Sequence, residues 1–332
     1  METNTTQQLF FNHIKLKIPA HLSFVNEVAA LLNISNDSAY RRIRGEKPIG
    51  LDEVQTLCNK YQVSLDQLLQ IQSNTVIFSG KYVDNTAFGF TEYLQQITKY
   101  LEYFQTFQNP HIYYLNKDFP LFHYMQFPEL MAFKFFFWKR TILGNLELAK
   151  EQFKGVEIEE KIFESSKKII GLYNCITSTE VWNEENVHTT IRQIEYYRQL
   201  GIFANNQILR EVYMQLIELL NHIEAQAEIG KKFLYKQPVT ANTTPYHIYI
   251  NECLIGDNTI FVDAGERQVT FLNHNVLNVI ATQDKTFCDY TFKNIQNIIR
   301  KSTHVSVIGE KERNLFFNTL RSKIYDKMKN ID

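Results

Sequence analysis

Two short helical patterns joined at a single asparagine constrain the fold of this chain more than any other feature. They lie in the stretch EVAALLNISNDSAYRRIRG, residues 27–45. The first pattern ends at Asn33, and asparagine is, after glycine, the residue that best tolerates the left-handed backbone of a tight turn. Ser35 or Asn36 can cap a second helix, which we expect over residues 37–44 and which Gly45 is expected to stop as the C′ residue. The stretch therefore predicts a helix, a tight turn and a second short helix.

The second of these helices is rich in arginine. Arg41, Arg42 and Arg44 follow one another without a carboxylate between them. Guanidinium groups so close together repel one another, and a helix that needed only solubility could use glutamate and lysine equally well. A polyanionic partner explains them better, because arginine binds phosphates and also pairs with guanine through two hydrogen bonds. Two helices joined by a tight turn, the second one basic, are the layout of a helix-turn-helix DNA reader.

The arginine-rich helix also has two distinct sides. Ala39 and Ile43 lie one turn apart and are expected to face inward. Among the polar residues, we expect Arg41, Asn36 and Ser38 to contact bases, and the other two arginines to contact phosphate groups. The whole predicted DNA-binding set is Asn36, Asp37, Ser38, Tyr40, Arg41, Arg42, Arg44 and Lys47.

The neighbouring sequence completes a small helical domain. Apolar residues recur at helical spacing over residues 7–18 and 51–61, and a short closing helix is expected up to Leu69. Five short helices around a small core of leucine, valine and isoleucine then form a DNA-binding domain over residues 1–72. Residues 73–85 are predicted to be a linker.

Four features of this domain match a known family pattern: Ala29 within the first helix, Asn33 at the turn, Ser35 as the cap, and the closing run YQVSLDQLL at residues 61–69. With these features the domain resembles the Xre or lambda-repressor-like class of helix-turn-helix transcriptional regulators. It is most similar to the BetR-like variety found in Bacteroidetes. The resemblance implies a sequence-specific DNA-binding regulator of transcription.

The sequence departs from the family pattern at two positions. Asn33 stands where the family has glycine. Arg42 stands where the pattern has an apolar partner for Ala39, and Ile43 takes the place of that partner. The identity of the arginine that faces DNA is therefore open by one position.

The remaining sequence predicts a larger effector or dimerisation domain over residues 86–332. Up to residue 240 it is mainly helical, with a short strand and helical patterns at residues 88–107, 129–150, 158–173, 186–200 and 207–233. Four β-rich segments and two helices then follow, at residues 246–250, 259–262, 268–272 and 276–281, and at residues 287–300 and 311–329. The predicted fold class is mainly α with an α+β C-terminal part, in which the four consecutive segments form an antiparallel meander.

Composition limits what the chain can bind. With 35 Lys and Arg against 36 Asp and Glu, the net charge is −1, which argues against a protein that coats nucleic acid non-specifically. The scattered cysteines predict neither a zinc site nor a disulfide framework, which fits a reduced, cytoplasmic setting. No signal-peptide pattern is present, and no apolar run has the roughly 20 residues of a membrane-spanning helix. Neither secretion nor a membrane partner is therefore expected.

No motif in the sequence indicates catalysis. The histidines include no pair with the spacing of a metal site such as HExxH. Glycine-rich phosphate loops and the GxSxG elbow of hydrolases are absent as sequence patterns. We therefore expect no enzymatic activity, no metal and no cofactor.

Two functions fit these observations. The first is a homodimeric transcription regulator that binds an operator in double-stranded DNA and responds to an unidentified small-molecule or peptide effector. The second is a protein-interaction adaptor, or a peptide sensor with a tetratricopeptide-like helical domain, suggested by the helix pair at residues 186–200 and 207–221. The near balance of charges in residues 1–70 also favours the second function. A basic patch over residues 40–47 would favour the regulator, whereas an apolar groove would favour the adaptor.

Overall fold

The chain folds into two compact units, Met1–Ile77 and Phe78–Asp332. The computed structural model describes residues 5–15, 17–19, 21–61, 63–65, 75–83, 89–156, 158–240, 243–253, 258–329 and 331. Because the two units are compact separately, each is described by itself.

The first unit is a small helical bundle. Its described helices are α1 (Thr6–Lys15), α2 (Phe24–Leu32), α3 (Asn36–Ile43) and α4 (Leu51–Tyr61). Helix α2 contacts α3 and α4, and α1 contacts α3. Their apolar sides form a core of Phe10, Phe11, Ile14, Val28, Ala29, Ala39, Leu57 and Val63. The expectation of a fifth helix up to Leu69 falls mostly on residues 66–69, which are outside the described residues.

The second unit combines helices with one large sheet. Its helices are α5 (Phe90–Gln105), α6 (Leu121–Tyr124), α7 (Pro128–Phe137), α8 (Glu160–Asn174), α9 (Glu185–Gln199), α10 (Asn206–Ile229), α11 (Lys285–Arg300) and α12 (Glu310–Met328). A π-helical turn (Trp138–Ile142) and a 3-10 turn (Leu148–Lys150) follow α7. Its strands are β1 (Ser79–Gly80), β2 (His111–Leu115), β3 (Thr177–Trp182), β4 (Tyr246–Ile250), β5 (Thr259–Asp263), β6 (Gln268–Asn273), β7 (Val279–Thr282) and β8 (Thr303–His304). The general mixture of helix and strand confirms the expected α+β character.

The strands form a single mixed sheet of eight strands in the order β1-β7-β6-β5-β2-β3-β4-β8. Strands β5, β6 and β7 form an antiparallel meander, as expected. Strand β4, however, is not part of it, because it pairs with β3 in parallel and with β8 in antiparallel orientation. The expectation of a four-strand meander is therefore corrected.

The physical reason for this difference lies in the middle of the chain. Strands β2 and β3, from the part that we expected to be mainly helical, lie between β5 and β4 at the centre of the sheet. They pair in parallel, and parallel neighbours need a crossover connection. Helices α6, α7 and α8 form the first crossover, and α9 and α10 form the second, between β3 and β4. The helix pair that suggested a tetratricopeptide unit is thus a crossover within an α+β fold.

Central strand β3 contains an acidic side chain that is completely buried. Glu180 accepts hydrogen bonds from Nε2 of His123 at 3.0 and 3.2 Å, from the hydroxyl of Tyr173, and from Nε1 of Trp182 at 2.7 Å. Burial by itself would raise the pKa of Glu180, but the interaction with His123 and these hydrogen bonds outweigh it and lower the pKa to about 2. The carboxylate therefore remains ionised inside the core.

The most apolar stretch of the sequence, around α7, belongs to the core of the second unit. Leu130, Met131 and Phe133 are fully buried. Lys134 is buried among them, and its Nζ lies 3.1 Å from Oδ2 of Asp118 and 2.8 Å from Oε1 of Gln193. Over the described ranges of the chain, no helix is both long enough and apolar enough to cross a membrane.

Candidate nucleic-acid interface

The turn between α2 and α3 has the backbone geometry that the sequence predicted. Asn33 has φ 53° and ψ 48°, which is the left-handed region. The next residue, Ile34, donates its N–H to the carbonyl of Ala29 at 3.0 Å, so the chain reverses within one residue of the end of α2. Ser35 then caps α3, because its Oγ accepts the N–H of Ser38 at 3.2 Å. The tight turn and the Ser35 cap are both confirmed.

One side of α3 faces away from the core of the first unit. Its exposed residues form two rows at a spacing of four residues, one of Asn36, Tyr40 and Arg44, the other of Asp37 and Arg41. Residues four apart on a helix are neighbours, so these rows make one continuous polar surface. We name this surface the α3 face. Only the ring of Tyr40, which is 48 % exposed, is apolar on it.

Arg42 is not part of the α3 face. Its side chain is 10 % exposed and points toward α4, where Nε donates to Oε2 of Glu53 at 3.0 Å and Nη2 lies 2.9 Å from Oε1. Nη1 also donates to Oγ of Ser38 at 2.5 Å. This placement corrects the prediction that Arg42 contacts phosphate, because its donors are used inside the unit. The Arg42 side chain also engages the hydroxyl of Ser38, and Ser38 is half-buried.

Glu53, the partner of Arg42, supplies a carboxylate, which the segment from Arg41 to Arg44 does not itself contain. Oε2 of Glu53 also accepts the N–H of Gly50 at 2.9 Å, which fixes the start of α4. Partial burial tends to raise the pKa of Glu53, but the hydrogen bonds from Arg42 and Gly50 are stronger in sum and lower it. Glu53 is therefore ionised at neutral pH and connects α3 to α4.

The end of α3 is fixed by its own backbone and by α1. Gly45 has φ +79°, and its N–H donates to the carbonyl of Arg42 at 3.0 Å, while the N–H of Glu46 donates to that of Arg41 at 2.8 Å. This pair of bonds is the Schellman pattern, in which glycine adopts the left-handed conformation at lowest cost. The predicted stop at Gly45 is confirmed.

Two glutamines of α1 hold the loop after α3. Nε2 of Gln7 donates to the carbonyls of Arg42 and Lys47, both at 2.7 Å, and Oε1 accepts the N–H of Ile49 at 3.1 Å. Nε2 of Gln8 donates to the carbonyl of Arg44 at 3.0 Å. The first helix thus determines where the exposed side chains of Arg44 and Lys47 project.

The structure therefore brings six of the eight predicted residues to the surface: Asn36, Asp37, Tyr40, Arg41, Arg44 and Lys47. Nε of Arg44 lies 3.4 Å from Oε1 of Glu46, and Cζ of Arg44 lies 5.5 Å from the centroid of the Tyr40 ring. These two neighbours determine the orientation of the Arg44 side chain. Sequence reasoning missed Glu53, Gln7 and Gln8. A signal for Glu53 existed, because Gly50 followed three residues later by glutamate is a capping pattern.

A second candidate site is a cavity in the second unit. It has a volume of about 440 Å³ and lies between α5 and the sheet, with Trp138 in its lining. Burial raises the pKa of Tyr93 to about 12 and raises that of Tyr114, so both phenols that line the cavity are neutral.

Within the residues that the structure describes, no group of three His, Cys, Asp or Glu side chains could hold a metal ion.

A family model matches the part of the chain that contains the first site. Residues 19–86 match the BetR domain. The BetR domain is of the helix-turn-helix type and indicates a DNA-binding regulatory role. The match includes α2, α3 and α4, and it confirms the resemblance to the BetR variety, while the wider relation to the Xre class stays a prediction. No curated protein and no solved structure is significantly similar to the chain.

Proposed function

We propose that this chain is a sequence-specific DNA-binding transcription regulator that acts as a homodimer, and that its second unit binds a small regulatory molecule. The observation that supports the DNA-binding part most directly is the α3 face. In a helix-turn-helix domain the N-terminal part of the second helix contacts base edges. Asn36 and Asp37 are exposed in that part of α3, and Arg41 is exposed one turn further along, in the same row as Asp37. Arg41 is the proposed base-reading residue, and Arg44 and Lys47 are the proposed phosphate contacts.

The same face favours the regulator over the adaptor. An adaptor that binds proteins would present a contiguous apolar surface, whereas the α3 face is polar and contains two arginines. Lys47 extends the cationic part beyond the helix. The near balance of charge in the first unit is compatible with this function, because specific DNA binding needs only a local group of cations.

The proposal for the second unit depends on the cavity. Sites for small ligands are usually concave, largely apolar and roughly 300–1,000 Å³ in volume, and the cavity beside α5 is within this range.

Homodimerisation is proposed because one small domain binds a specific site weakly, whereas a symmetric pair reads two half-sites.

A selection experiment with the full-length protein tests this function. Duplexes enriched from a random pool should share a motif, and two half-sites related by twofold symmetry should appear if a dimer binds. Arg41→Ala should lower the affinity for the enriched duplex by about tenfold, the range expected for one lost arginine–base contact. Fluorescence anisotropy at several salt concentrations measures it.

Lys60→Ala is the matched control, since Lys60 is an exposed cation on α4 and is not one of the residues of the α3 face. It should change affinity less than twofold. If no duplex is enriched, or if Arg41→Ala behaves like Lys60→Ala, the proposed base-reading role of α3 is wrong.

A further inference from the structure

The cavity of the second unit lies between two regular surfaces. Helix α5 forms one wall with residues that include Tyr93, Ile97 and Phe104. The sheet forms the other wall, where Ile112 of β2 is opposite Val262 of β5 and both line the cavity. Because alternate strand residues share a face, this wall continues across neighbouring strands. The cavity is therefore part of the fold between helix and sheet and does not depend on a single loop.

Aromatic rings form much of the lining and come from both walls and from the segment around α6 and α7. They are those of Tyr93, Tyr100, Phe104, Tyr114, Phe119, Phe122, Trp138 and Phe271. Three of them meet edge to face, since the ring centroid of Phe271 lies 5.1 Å from that of Tyr100 and 6.1 Å from that of Phe104. Pairs of aromatic rings gain free energy beyond that of burying their area. The apolar part of the cavity therefore fits a flat aromatic body better than a flexible chain.

Two phenol hydroxyls interrupt this apolar lining, Tyr93 on the α5 wall and Tyr114 on the sheet wall. Burial raises the pKa of Tyr114 most, and the phenol of Tyr93 raises it further, so the two oxygens lie near each other. Among the described residues neither hydroxyl forms a hydrogen bond, whereas those of Tyr124 and Tyr173 in the same core do. Tyr114 is only 8 % exposed, and a buried hydroxyl costs free energy unless it is hydrogen-bonded. A polar ligand atom between the two walls can complete both hydroxyls.

The charge beside Tyr114 disfavours an anionic head group. Tyr114 is opposite Glu180 in the parallel pair of β2 and β3, and Glu180 is ionised. Burial has the largest effect on the pKa of Tyr114, and the negative charges of Glu180 and Asp118 raise it as well. The potential that keeps the proton on this phenol also repels an anion placed at its hydroxyl. A protonated phenol donates a hydrogen bond, so the matching ligand group is an uncharged acceptor.

The charged residues of the lining are already engaged. The carboxylate of Asp118 lies 3.1 Å from Nζ of the buried Lys134 and 2.9 Å from the hydroxyl of Tyr124. Lys81 and Lys117 also line the cavity, and both already interact with other groups of the protein. Taking a ligand charge out of water is costly unless it gains a partner of opposite charge. The polar group of the ligand is therefore assigned to the two phenols.

We infer that the cavity binds an uncharged aromatic compound, with its rings between α5 and the sheet and with a carbonyl oxygen that accepts hydrogen bonds from Tyr93 and Tyr114. The inference rests on the proposed function, in which the second unit binds a regulatory small molecule, and it names the class of that molecule. A carbonyl suits the two phenols because its oxygen has two lone pairs, one for each hydroxyl.

Binding of matched compounds to the full-length protein, measured by equilibrium dialysis, tests the inference. Acetylnaphthalene, an uncharged aromatic ketone, is compared with ethylnaphthalene, which lacks the acceptor, and with dodecanone, a ketone of equal carbon number without rings. The ketone acetylnaphthalene should bind about fivefold more tightly than ethylnaphthalene, the range expected for one net hydrogen bond between uncharged groups. It should also bind more tightly than dodecanone, because only its rings pair with those of the lining.

Two charged naphthalenes test the sign of the site. Naphthoate and naphthylmethylammonium should each bind at least about tenfold more weakly than acetylnaphthalene, because each loses its hydration without gaining an opposite charge. If either charged compound binds as tightly as the ketone, the uncharged class is wrong. Equal affinity of dodecanone and acetylnaphthalene would refute the aromatic body. Failure of acetylnaphthalene to bind would refute the inference as a whole.

Variants of the two phenols locate the head group. Tyr93→Phe with Tyr114→Phe should remove the preference for acetylnaphthalene over ethylnaphthalene and leave the affinity for ethylnaphthalene unchanged. Each single change should remove part of the preference. Tyr103→Phe is the matched control, since Tyr103 is 41 % exposed on the same helix and lies outside the lining. A preference for the ketone that survives in the double variant would overturn the assignment.

A variant of the α5 wall locates the body of the ligand. Ile97→Trp adds bulk beside the sheet and should abolish binding of both naphthalenes. Wild-type affinity in this variant, with a wild-type circular dichroism spectrum, would place the ligand outside the cavity. If Ile97→Trp does not fold, the double phenol variant still decides, because it keeps the volume of both rings.

The outcomes for this inference and for the proposed function are separable. DNA binding is measured on the same protein through Arg41→Ala, which lies outside the second unit. Selective DNA binding without binding of acetylnaphthalene would refute the ligand class and leave the DNA-binding function standing. Binding of acetylnaphthalene without any enriched duplex would do the reverse. A change in DNA affinity of at least severalfold on adding the bound ketone is expected if both hold.

Discussion

The two candidate sites differ in where they lie within their own units: the first is on the outer face of a helix, and the second is a cavity between a helix and the sheet. In the first unit, α3 turns Ala39 and Arg42 inward and presents the α3 face outward. In the second unit, α5 and the sheet turn their apolar residues toward a cavity. The first site thus consists of consecutive residues on one helix, whereas the second is assembled from residues between Lys81 and Ala281. Sequence patterns can locate a site of the first kind, and the second becomes visible only in the fold.

The units also differ in how they hold a buried charge. The pair Arg42–Glu53 lies at the edge of a small core, with side chains 10 % and 23 % exposed. Glu180 lies at the centre of a large core with no exposure, and three side chains donate to it. Removing one partner of a buried ion pair leaves the other without compensation, and the cost increases with burial. The second unit should therefore be more sensitive to such a change than the first.

The largest expected effect is that of Glu180→Gln. The change keeps the shape but removes the charge that His123, Tyr173 and Trp182 surround, so the second unit should lose about 3 kcal/mol of stability at neutral pH. Urea unfolding followed by tryptophan fluorescence measures it, since the tryptophans described here, Trp138 and Trp182, lie in this unit. Glu102→Gln, which removes an exposed ion pair with Lys168, should cost less than about 0.5 kcal/mol.

The stability difference between wild type and Glu180→Gln should depend on pH, and the pKa of Glu180 determines the direction of that dependence. The pKa of Glu180 is lowered from 4.5 to about 2, so its ionisation stabilises the fold above about pH 4.5, and this contribution is lost as pH falls toward 2. The difference in stability between wild type and Glu180→Gln should therefore be full at neutral pH and shrink in acid. A difference that stays constant down to pH 2 would contradict the assigned network.

Arg42→Met should have the next largest effect, and within the first unit. It leaves Glu53 without its main partner and should cost about 2 kcal/mol, less than the change at Glu180 because the pair is partly exposed. Hydrogen exchange of α3 and α4 in the full chain should accelerate roughly thirtyfold. Arg44→Met is the matched control, and its exchange should stay close to wild type.

A double-mutant cycle sharpens the result. If Arg42 acts through Glu53, then Glu53→Gln should make the further change Arg42→Met cost about 1 kcal/mol less than it does alone. Equal costs in both backgrounds would show that Arg42 does not act through Glu53 and contributes through its packing and its hydrogen bonds to Ser38.

Helix α3 shows which features the sequence could predict and which it could not. The turn at Asn33, the Ser35 cap and the stop at Gly45 depend on residues within one turn of each other, and all three were predicted correctly. The orientation of Arg42 depends on Glu53, eleven residues away on another helix. An arginine at an inward position is interpreted as exposed unless its partner is known, and helix spacing alone does not supply the partner.

The second unit was predicted less completely, for a related reason. Strand β3 was missed, because its buried positions include Ser178, Thr179 and Glu180 and so lack the apolar alternation of a strand. Those residues are satisfied by hydrogen bonds from distant parts of the chain, including His123. Without β3 the central parallel strands could not be placed, and β4 was assigned to the meander instead. The cavity, which depends on the same strand order, could not be predicted either.

Gln7→Ala tests whether α1 supports the DNA-binding site. The change removes three hydrogen bonds to the loop after α3 and should cost about 1–2 kcal/mol in the first unit. Affinity for the selected duplex should fall severalfold, because the positions of Arg44 and Lys47 are less fixed. Asn12→Ala, at an exposed position of the same helix, is the control. Unchanged exchange rates in the loop would show that these bonds contribute little.

The smallest expected effect is at the turn between α2 and α3. Asn33 has φ 53°, a conformation that disfavours residues with a Cβ, although asparagine tolerates it better than most. Asn33→Ala should therefore destabilise the first unit by about 1 kcal/mol, whereas Asn33→Gly should change its stability by less than about 0.5 kcal/mol. Hydrogen exchange of α2 and α3 measures both. An equal loss of stability in the two variants would show that the left-handed backbone does not determine the preference for asparagine, and that the side chain of Asn33 contributes instead.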